Sequence, residues 1–215
     1  MSRSLLRLIL PALFLLALAG GEAVAHPHVW VIVKSDLVYA PDGAVAAVRH
    51  HWTFDEMFST FAIQGLDDKK PGGLTREELA PLAEVNITSL KDFDYFTFAR
   101  ADGKKPAFTD PKDYWLEHKD GALTLHFTLT LQAPVKAKQL ALEIYDSSYF
   151  VDFSLAEKNP ASLVDAPAQC KLATRGPRDG ATASSQPPNE SFFQGLDASS
   201  NFGAQFANKI SVTCP

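Results

Sequence analysis

Two histidines separated by one proline, His26, Pro27 and His28, are the residues best suited to chemistry in this sequence. Both imidazoles fall on one face of an extended segment, because side chains alternate from face to face along a strand. Imidazole nitrogens are ligands for zinc, nickel, cobalt and copper. If proteolysis made His26 the first residue, its ring and its free α-amine could chelate one ion together. Pro27 lacks an N–H, which blocks the square-planar mode that uses deprotonated backbone amides.

Two carboxylates are predicted to lie near these histidines. A hairpin with a tight turn at residues 42–43 places Asp55 and Glu56 opposite the start of the first strand. Together with His26 and His28 they predict a site for zinc, nickel or cobalt. Asp55 also precedes a helical segment, where it would act as an N-cap, and both roles remain open. A polar strand start that binds no ligand is the remaining alternative.

One site that contains all four early histidines is not expected. The same hairpin register places His50 opposite Ser35 and His51 opposite Lys34. These positions lie about 20 Å along the strand from His28. His50 and His51 also point to opposite faces of their own strand. We therefore expect neither of them to share a site with the first two histidines.

The last two histidines are predicted to be solvent-exposed. His126 lies among the alternating apolar residues of "LTLHFTLTL", on the face opposite the leucines. His118 has charged neighbours and stands just before a turn. We expect no primary metal site at either position.

Residues 1–25 predict an export signal and therefore a periplasmic protein. They combine a basic start at Arg3 and Arg7, an apolar run over residues 8–19 and a small-residue end. The run is too short to span a bilayer as a permanent helix, and no later segment is long and apolar enough. Removal of the signal also takes Glu22, which leaves 18 basic and 24 acidic residues and a net charge of −6. This acidic balance argues against nucleic acid as a partner.

Cys170 and Cys214 are the two cysteines of the chain and are predicted to form one disulfide in an oxidising compartment. Neither belongs to a CxxC motif, which argues against a cysteine metal site. Between them lies a stretch rich in Gly, Pro, Ser and Asp at residues 175–191. We expect this stretch to be a mobile surface loop.

The remaining pattern predicts one domain of the α+β class over residues 26–215. Alternating apolar residues indicate strands, and Asp-Gly pairs mark hairpin turns at residues 42–43, 102–103 and 120–121. A helical pair, roughly residues 54–66 and 75–90, follows the first hairpin, and Thr75 and Glu78 have capping-box spacing. We therefore expect a mainly antiparallel β-sheet or sandwich with a helical pair inserted after the first hairpin.

The segment "LDDKKPGGLTREEL" has the spacing of an EF-hand calcium loop without its full ligand set. Asp67 and Glu78 take the first and twelfth loop positions when Gly72 is placed at the sixth. The third and fifth positions hold Lys69 and Pro71 instead of oxygen ligands. A lysine in this cage would repel calcium, so no calcium is expected.

Five sequence blocks in this order resemble a bacterial family: "HPHVWV", "WTFDEMFS", "GGLTREEL", "YDSSYF" and a cysteine pair near the end. The similar family is a periplasmic domain of unknown function, labelled as the periplasmic component of an uncharacterised ABC-type transport system. Its members are typically encoded beside an inner-membrane permease of the nickel/cobalt transporter type. The resemblance therefore implies a role in zinc, nickel or cobalt traffic, with such a permease as partner. Members often keep acidic residues where this sequence has Lys69 and Pro71.

The sequence contains no nucleophile elbow, Walker loop or HExxH helix, so we predict that the protein is not an enzyme. We predict instead a periplasmic accessory protein that binds a divalent transition metal and serves a membrane metal transporter. Zinc or nickel is the expected ion, with cobalt and copper as further candidates. Two alternatives remain. One is a metal-free interaction module that supports the permease, and the other is a copper enzyme built on an N-terminal histidine.

Overall fold

The computed structural model describes residues 27–70, 73–177 and 201–215. The predicted export signal, His26 and most of the predicted mobile loop at residues 175–191 lie outside the described residues.

The described residues form strands and helices, which are numbered separately in chain order. The strands are β1 Val29–Tyr39, β2 Val45–Phe54, β3 Thr97–Ala101, β4 Tyr114–Lys119, β5 Ala122–Val135, β6 Gln139–Ile144, β7 Val151–Leu155, β8 Ala161–Val164, β9 Lys171–Arg175 and β10 Asn208–Thr213. The helices are α1 Glu56–Ala62, α2 Arg76–Leu90 and two 3-10 helices, Lys91–Phe96 and Phe202–Phe206. No helix in this part of the chain is long and apolar enough to cross a membrane.

The strands form two sheets. The first has the order β4-β5-β2-β1-β7, and β8 pairs with the second half of β1. The second sheet has the order β3-β6-β10-β9. Most neighbouring strands are antiparallel, whereas β7 and β8 run parallel to β1. The predicted α+β class is confirmed, as is the helical pair after the first hairpin.

One hydrophobic core contains the inward-facing residues of both sheets. Buried side chains alternate with more exposed ones along most of β1, β2 and β5, which is the period-two pattern of a strand with one buried face. Trp52 packs at the centre, with its ring 4.8 Å from Phe127 and 4.9 Å from Phe153 between centroids. Each large apolar side chain buried in this way stabilises the fold by about 1.5–3 kcal/mol. The core therefore fixes which residues of these strands face outward.

The hairpin of β1 and β2 has the predicted register. Lys34 pairs with His51, and Ser35 pairs with His50. Gly43 in the turn has a φ of +81°, which glycine adopts without the strain that a side chain would cause. The prediction that the two consecutive histidines face opposite sides of the strand is also confirmed, since His50 is buried and His51 is half-buried.

The second predicted hairpin forms only in part. Asp102 and Gly103 make the predicted turn, with φ values of 47° and 80°. After the turn, only Lys104 pairs with β3, through an isolated bridge to Ala101. The ladder of β3 is formed with β6 instead. Pro106 lies shortly after the turn and cannot donate to a strand ladder. The third predicted turn, Asp120 and Gly121, joins β4 to β5.

The start of α2 shows the predicted capping box. The hydroxyl of Thr75 accepts the backbone N–H of Glu78, and the carboxylate of Glu78 accepts the backbone N–H of Thr75 at 2.9 Å. Glu78 also binds the ammonium group of Lys70. The carboxylate at the twelfth position of the EF-hand-like segment is thus engaged by a helix cap and a lysine.

Cys170 and Cys214 form the predicted disulfide. They are 44 residues apart in the sequence. In the chain-entropy model, closing a loop of this size stabilises the fold by about 3–4 kcal/mol.

Candidate functional site

His28 lies just before β1 and is exposed. Its backbone N–H donates to the carbonyl of Phe150 at 2.9 Å, and the two ring centroids are 4.6 Å apart. The following residues, 29–33, pair with β7. The backbone that carries His28 is therefore fixed, while its imidazole remains accessible from solvent.

Asp55 caps α1 and closes the end of the hairpin. One carboxylate oxygen accepts the N–H of Phe58 at 2.8 Å, and the other accepts the N–H of Trp30 at 3.0 Å. The N–H of Asp55 in turn donates to the carbonyl of Trp30 at 2.9 Å. The predicted capping role is confirmed, and so is the predicted position opposite the start of the first strand. Metal ligation by Asp55 stays a prediction.

Two further carboxylates lie at this end of the sheet. Glu56 is the first residue of α1 and is exposed. Asp152 of β7 pairs with Trp30, so the two side chains lie on the same face of the sheet. His28 is two residues before Trp30 and therefore points to that face as well. Among the described residues, no three His, Cys, Asp or Glu side chains are grouped closely enough to hold an ion. His26 lies outside those residues, so the four-residue ligand set stays a prediction.

The segment "YDSSYF" forms the loop against which His28 rests. Asp146 in this loop is only 3% exposed. One of its carboxylate oxygens accepts the N–H and the hydroxyl of Ser148, and the other accepts the N–H groups of Phe150 and Val151. Asp146 thereby determines the path of the loop and the position of the Phe150 carbonyl that binds His28.

The 3-10 helix Phe202–Phe206 supports this loop from the far end of the chain. A Cβ atom at Gly203 would lie 1.6 Å from the carbonyl oxygen of Asp146, so only glycine fits there. The N–H of Gly203 donates to the carbonyl of Ser147 at 2.9 Å. Phe206 stacks on Tyr149 with 4.0 Å between ring centroids. The sequence did not reveal this role, because the contact depends on the complete fold.

Several large apolar side chains at this end of the first sheet and on α1 are exposed. Trp30 and Ile32 of β1 are 45% and 52% exposed, and Phe150 is 47% exposed. Met57 and Phe61 lie one turn apart on α1 and are 67% and 73% exposed. We call Trp30, Ile32 and Phe150 the apolar surface. Exposed apolar clusters are typical of surfaces that contact another protein.

His50 lies on the inner face of β2 and joins the two sheets. Its Nδ1 is 2.9 Å from the hydroxyl of Ser35, and its Nε2 is 3.2 Å from the hydroxyl of Thr97 on β3. Thr97 donates its only hydroxyl proton to the carbonyl of Tyr95, so it accepts from Nε2–H and Ser35 donates to Nδ1. Burial lowers the pKa of His50 to about 3. His50 is therefore a neutral structural residue.

Four side chains form a line on the outer face of the first sheet, which we call the histidine row: Asp36, His51, His126 and Glu117. The Nδ1 atoms of the two histidines are 2.6 Å apart. The Nε2 of His51 is 3.3 Å from Asp36, and the Nε2 of His126 is 3.6 Å from Glu117. The prediction that His126 is solvent-exposed is wrong. Its side chain is only 15% exposed, because the indole of Trp115 stacks on it at 3.8 Å between centroids.

Sequence reasoning placed His126 on the face opposite the leucines but did not bring it to His51. The two residues are direct partners in the pairing of β2 with β5, and they are 75 residues apart in the chain. No local turn encodes that pairing. The available signal is that both histidines alternate with buried apolar residues, which predicts the same outer face once the two strands are assumed to be neighbours.

The fold and these sites define a class of two-sheet α+β proteins that present an exposed histidine just before the first strand. The chain belongs to the family described as "Protein of unknown function (DUF1007)", which matches residues 11–214. It is also similar to an uncharacterized 15.5 kDa protein in the trpE 3' region of Spirochaeta aurantia, with 30% identity over 93 residues. That alignment covers 43% of this chain and 66% of the relative, just under two thirds of its length. Membership of a family of unknown function is thus confirmed, and the association with a transport system stays a prediction.

Proposed function

We propose that the protein is a periplasmic transition-metal-binding protein that serves a membrane metal transporter. Its ion is zinc or nickel, bound by His26 and His28 and completed by the exposed carboxylate of Glu56. The observation that carries this proposal is the exposed imidazole of His28 on a backbone fixed by Phe150 and β7. Asp55 acts mainly by holding the end of β1 through its bond to the N–H of Trp30.

The chemistry of this donor set suits a borderline-soft divalent ion. With His26 as the first residue, one α-amine and two imidazoles supply three nitrogens, and a carboxylate supplies a fourth ligand. The contact between the rings of His28 and Phe150 restricts the orientation of one imidazole before any ion binds. A site at an exposed chain end can also release its ion without any change in the core.

The apolar surface supports a partner at the same place. Phe150 contacts the proposed ligand His28, and Trp30 and Ile32 follow on the same face of β1, so a docked protein would lie close to the bound ion. A membrane permease of the nickel/cobalt transporter type is the proposed partner, because the order of sequence motifs resembles a family encoded beside such permeases. Localisation in the periplasm follows from the predicted export signal over residues 1–25.

The same apolar surface favours a second candidate function, a metal-free interaction module that supports the permease. In this case docking would depend on side chains such as Trp30 and Phe150, and not on the histidines. The two functions differ in one outcome. Replacing His26 and His28 by alanine abolishes assisted metal transport if the protein carries the ion, and leaves transport unchanged if it only docks.

Metal titration by calorimetry tests the proposed function directly. The chain that begins at His26 is compared with its His26→Ala, His28→Ala variant, using zinc, nickel, cobalt and copper in turn. Both proteins also carry His51→Gln and His126→Gln, so that only the N-terminal imidazoles differ. We expect one equivalent of zinc or nickel to bind the first protein and none to bind the second.

Equal binding by both proteins, or binding by neither, would contradict the proposal. A marked preference for copper with redox activity would favour the copper enzyme instead. A Glu56→Gln variant serves as the ligand test, with weaker binding expected if this carboxylate completes the site. An Asp55→Asn variant, in contrast, is expected to act through the helix cap and the end of the strand.

A further inference from the structure

The histidine row crosses four neighbouring strands with one side chain from each. Glu117 comes from β4, His126 from β5, His51 from β2 and Asp36 from β1, which is the order of the strands in the sheet. A fifth strand, β8, fixes one end, because the hydroxyl of Ser162 donates to Asp36 at 2.7 Å. The row is therefore built into the sheet and does not depend on a loop.

At the centre of the row, the Nδ1 atoms of two imidazole rings face each other. The Nε2 of His51 is within hydrogen-bond distance of Asp36, and a carboxylate at neutral pH only accepts, so the N–H of His51 belongs on Nε2 and its Nδ1 carries a lone pair. The Nε2 of His126 has no hydrogen-bond partner among the described residues, since Glu117 is 3.6 Å away. The proton of His126 then belongs on its Nδ1, which donates to the Nδ1 of His51 across 2.6 Å. A metal ion could take the place of this shared proton and bind both Nδ1 atoms, with the proton of His126 moving to the Nε2 that faces Glu117.

The surroundings keep the two rings in this orientation. Trp115 stacks on His126 with 9° between the ring planes, and the guanidinium group of Arg76 lies 4.9 Å from the centre of the indole. Burial lowers the pKa of His126, and the neighbouring His51 acts in the same direction. Burial alone would raise the pKa of Asp36, but hydrogen bonds from Ser162 and His51 and the charge of Arg49 outweigh it and lower the pKa. A neutral imidazole and an ionised carboxylate are the states that a metal site needs.

A metal ion fits the centre of the row after a small movement. Two imidazole nitrogens bound to one tetrahedral ion at about 2.1 Å are about 3.4 Å apart. The present separation is 2.6 Å, so the rings would open by less than about 1 Å. Imidazoles that donate their other N–H to a carboxylate are the usual arrangement around protein-bound metals. The two carboxylates, Asp36 and Glu117, also match the double charge of a divalent ion.

We propose that His51 and His126 bind one divalent transition-metal ion through their Nδ1 atoms, with Asp36 and Glu117 orienting the two rings. This site is distinct from the proposed N-terminal site and does not depend on His26. Two protein ligands leave the other coordination positions to water or to a group supplied by a partner. Such an open site suits transfer of an ion more than storage. The side chains of His51 and His126 are 29% and 15% exposed, which gives an ion access from solvent.

The test uses a chain in which the N-terminal site has been removed by His26→Ala and His28→Ala. Zinc is titrated into this protein by calorimetry, and nickel or copper is titrated while tryptophan fluorescence is recorded. We expect one equivalent to bind and the emission of Trp115 to be quenched, because its indole stacks on His126. A further Trp115→Phe change should remove the quenching and keep the binding.

Matched variants separate the ligands from the positioning residues. His51→Gln or His126→Gln should lower zinc affinity by at least 100-fold, whereas Asp36→Asn should lower it by about 10- to 100-fold. His118→Gln on β4 is the control histidine and should leave affinity unchanged. Thermal unfolding in the presence of a chelator confirms that each variant is folded.

Two results would overturn the proposal. One is that the chain with His26→Ala and His28→Ala binds no ion, in which case the row holds a shared proton only. The other is that binding survives His51→Gln together with His126→Gln. Failure of the proposed function is recognised separately, because it would appear as unchanged binding between chains that differ only at His26 and His28.

Discussion

His50 and His51 are consecutive residues of one strand, yet the two faces of the sheet give them different chemistry. His50 is fully buried, and both ring nitrogens have hydroxyl partners, Ser35 and Thr97. His51 lies on the outer face, between the carboxylate of Asp36 and a second imidazole. The difference teaches that the donor or acceptor character of the neighbours determines what a histidine can do, more than its burial alone.

Hydroxyl partners satisfy an imidazole completely. A hydroxyl can donate to one ring nitrogen and accept from the other, so His50 needs no additional ion or proton. A carboxylate and an imidazole partner leave His51 with one nitrogen, Nδ1, whose lone pair can take either the N–H of His126 or a metal ion. The inner residue is therefore expected to matter for stability, and the outer residue for binding.

The largest expected difference in the free energy of unfolding is between the His50→Ala and His51→Ala variants. His50→Ala leaves a cavity and two buried hydroxyl groups without their partner, and should lower the free energy of unfolding by about 3 kcal/mol. His51→Ala should change it by no more than about 0.5 kcal/mol, as for most partly exposed positions. Urea unfolding at pH 7 measures both values. Equal losses for the two variants would break the comparison.

Acid should destabilise the protein through the inner histidine. Burial lowers the pKa of His50 to about 3, below the unfolded value near 6.5, so the unfolded chain binds a proton that the folded chain excludes. Stability is then fully present above about pH 6.5 and falls by up to about 1.4 kcal/mol per pH unit as the pH drops toward 3. Between pH 7 and pH 5 the expected loss is about 2 kcal/mol.

Urea unfolding at pH 7 and pH 5 measures this loss before most carboxylates titrate. The control is His50→Gln, which has no group that titrates in this range and should show a much smaller dependence on pH. The lowered pKa of His126 adds to the loss in the same direction, so His126→Gln measures its share. An unchanged pH dependence in His50→Gln would show that the buried histidine is not the acid-sensitive group.

The smallest expected changes in the free energy of unfolding come from removing a threonine hydroxyl on each face of the sheet. Thr97→Val removes the acceptor of the His50 N–H in a buried position and should cost about 1–2 kcal/mol. Thr124→Val on the outer face removes a hydroxyl pair with Thr53, and should cost less than about 0.5 kcal/mol, because valine is well suited to a strand. Urea unfolding of the two valine variants sharpens the comparison. A larger loss for Thr124→Val would reverse the roles assigned to the two faces.

Local features of the sequence were sufficient to predict much of the fold. The turn at Asp42 and Gly43 and the alternation of apolar residues were enough to predict which residues face His50 and His51 across the hairpin. Thr75 and Glu78 predicted the start of α2, because a capping box involves only four consecutive residues. Each of these predictions depends on residues that are close together in the chain or joined by one short turn.

Features that depend on long-range pairing could not be predicted in the same way. The pairing of β2 with β5 brings His51 to His126, and the parallel pairing of β1 with β7 brings Asp152 to Trp30. Both pairings are determined by how the whole core packs, and no local pattern records them. Asp55 illustrates the intermediate case. Its cap was recognisable from the sequence, but its bond to the N–H of Trp30 required the closed hairpin.

The fit of Gly203 against the carbonyl of Asp146 has a consequence for the order in which the protein can mature. His28 leaves the ribosome early, but the carbonyl of Phe150 that binds its N–H comes much later, and Gly203 supports that loop later still. A chain that stops before Gly203 would therefore carry an intact N-terminal sequence without the support of the loop that positions it. The position of His28 at the start of the first strand thus becomes final only after the chain as far as Gly203 has been made and folded.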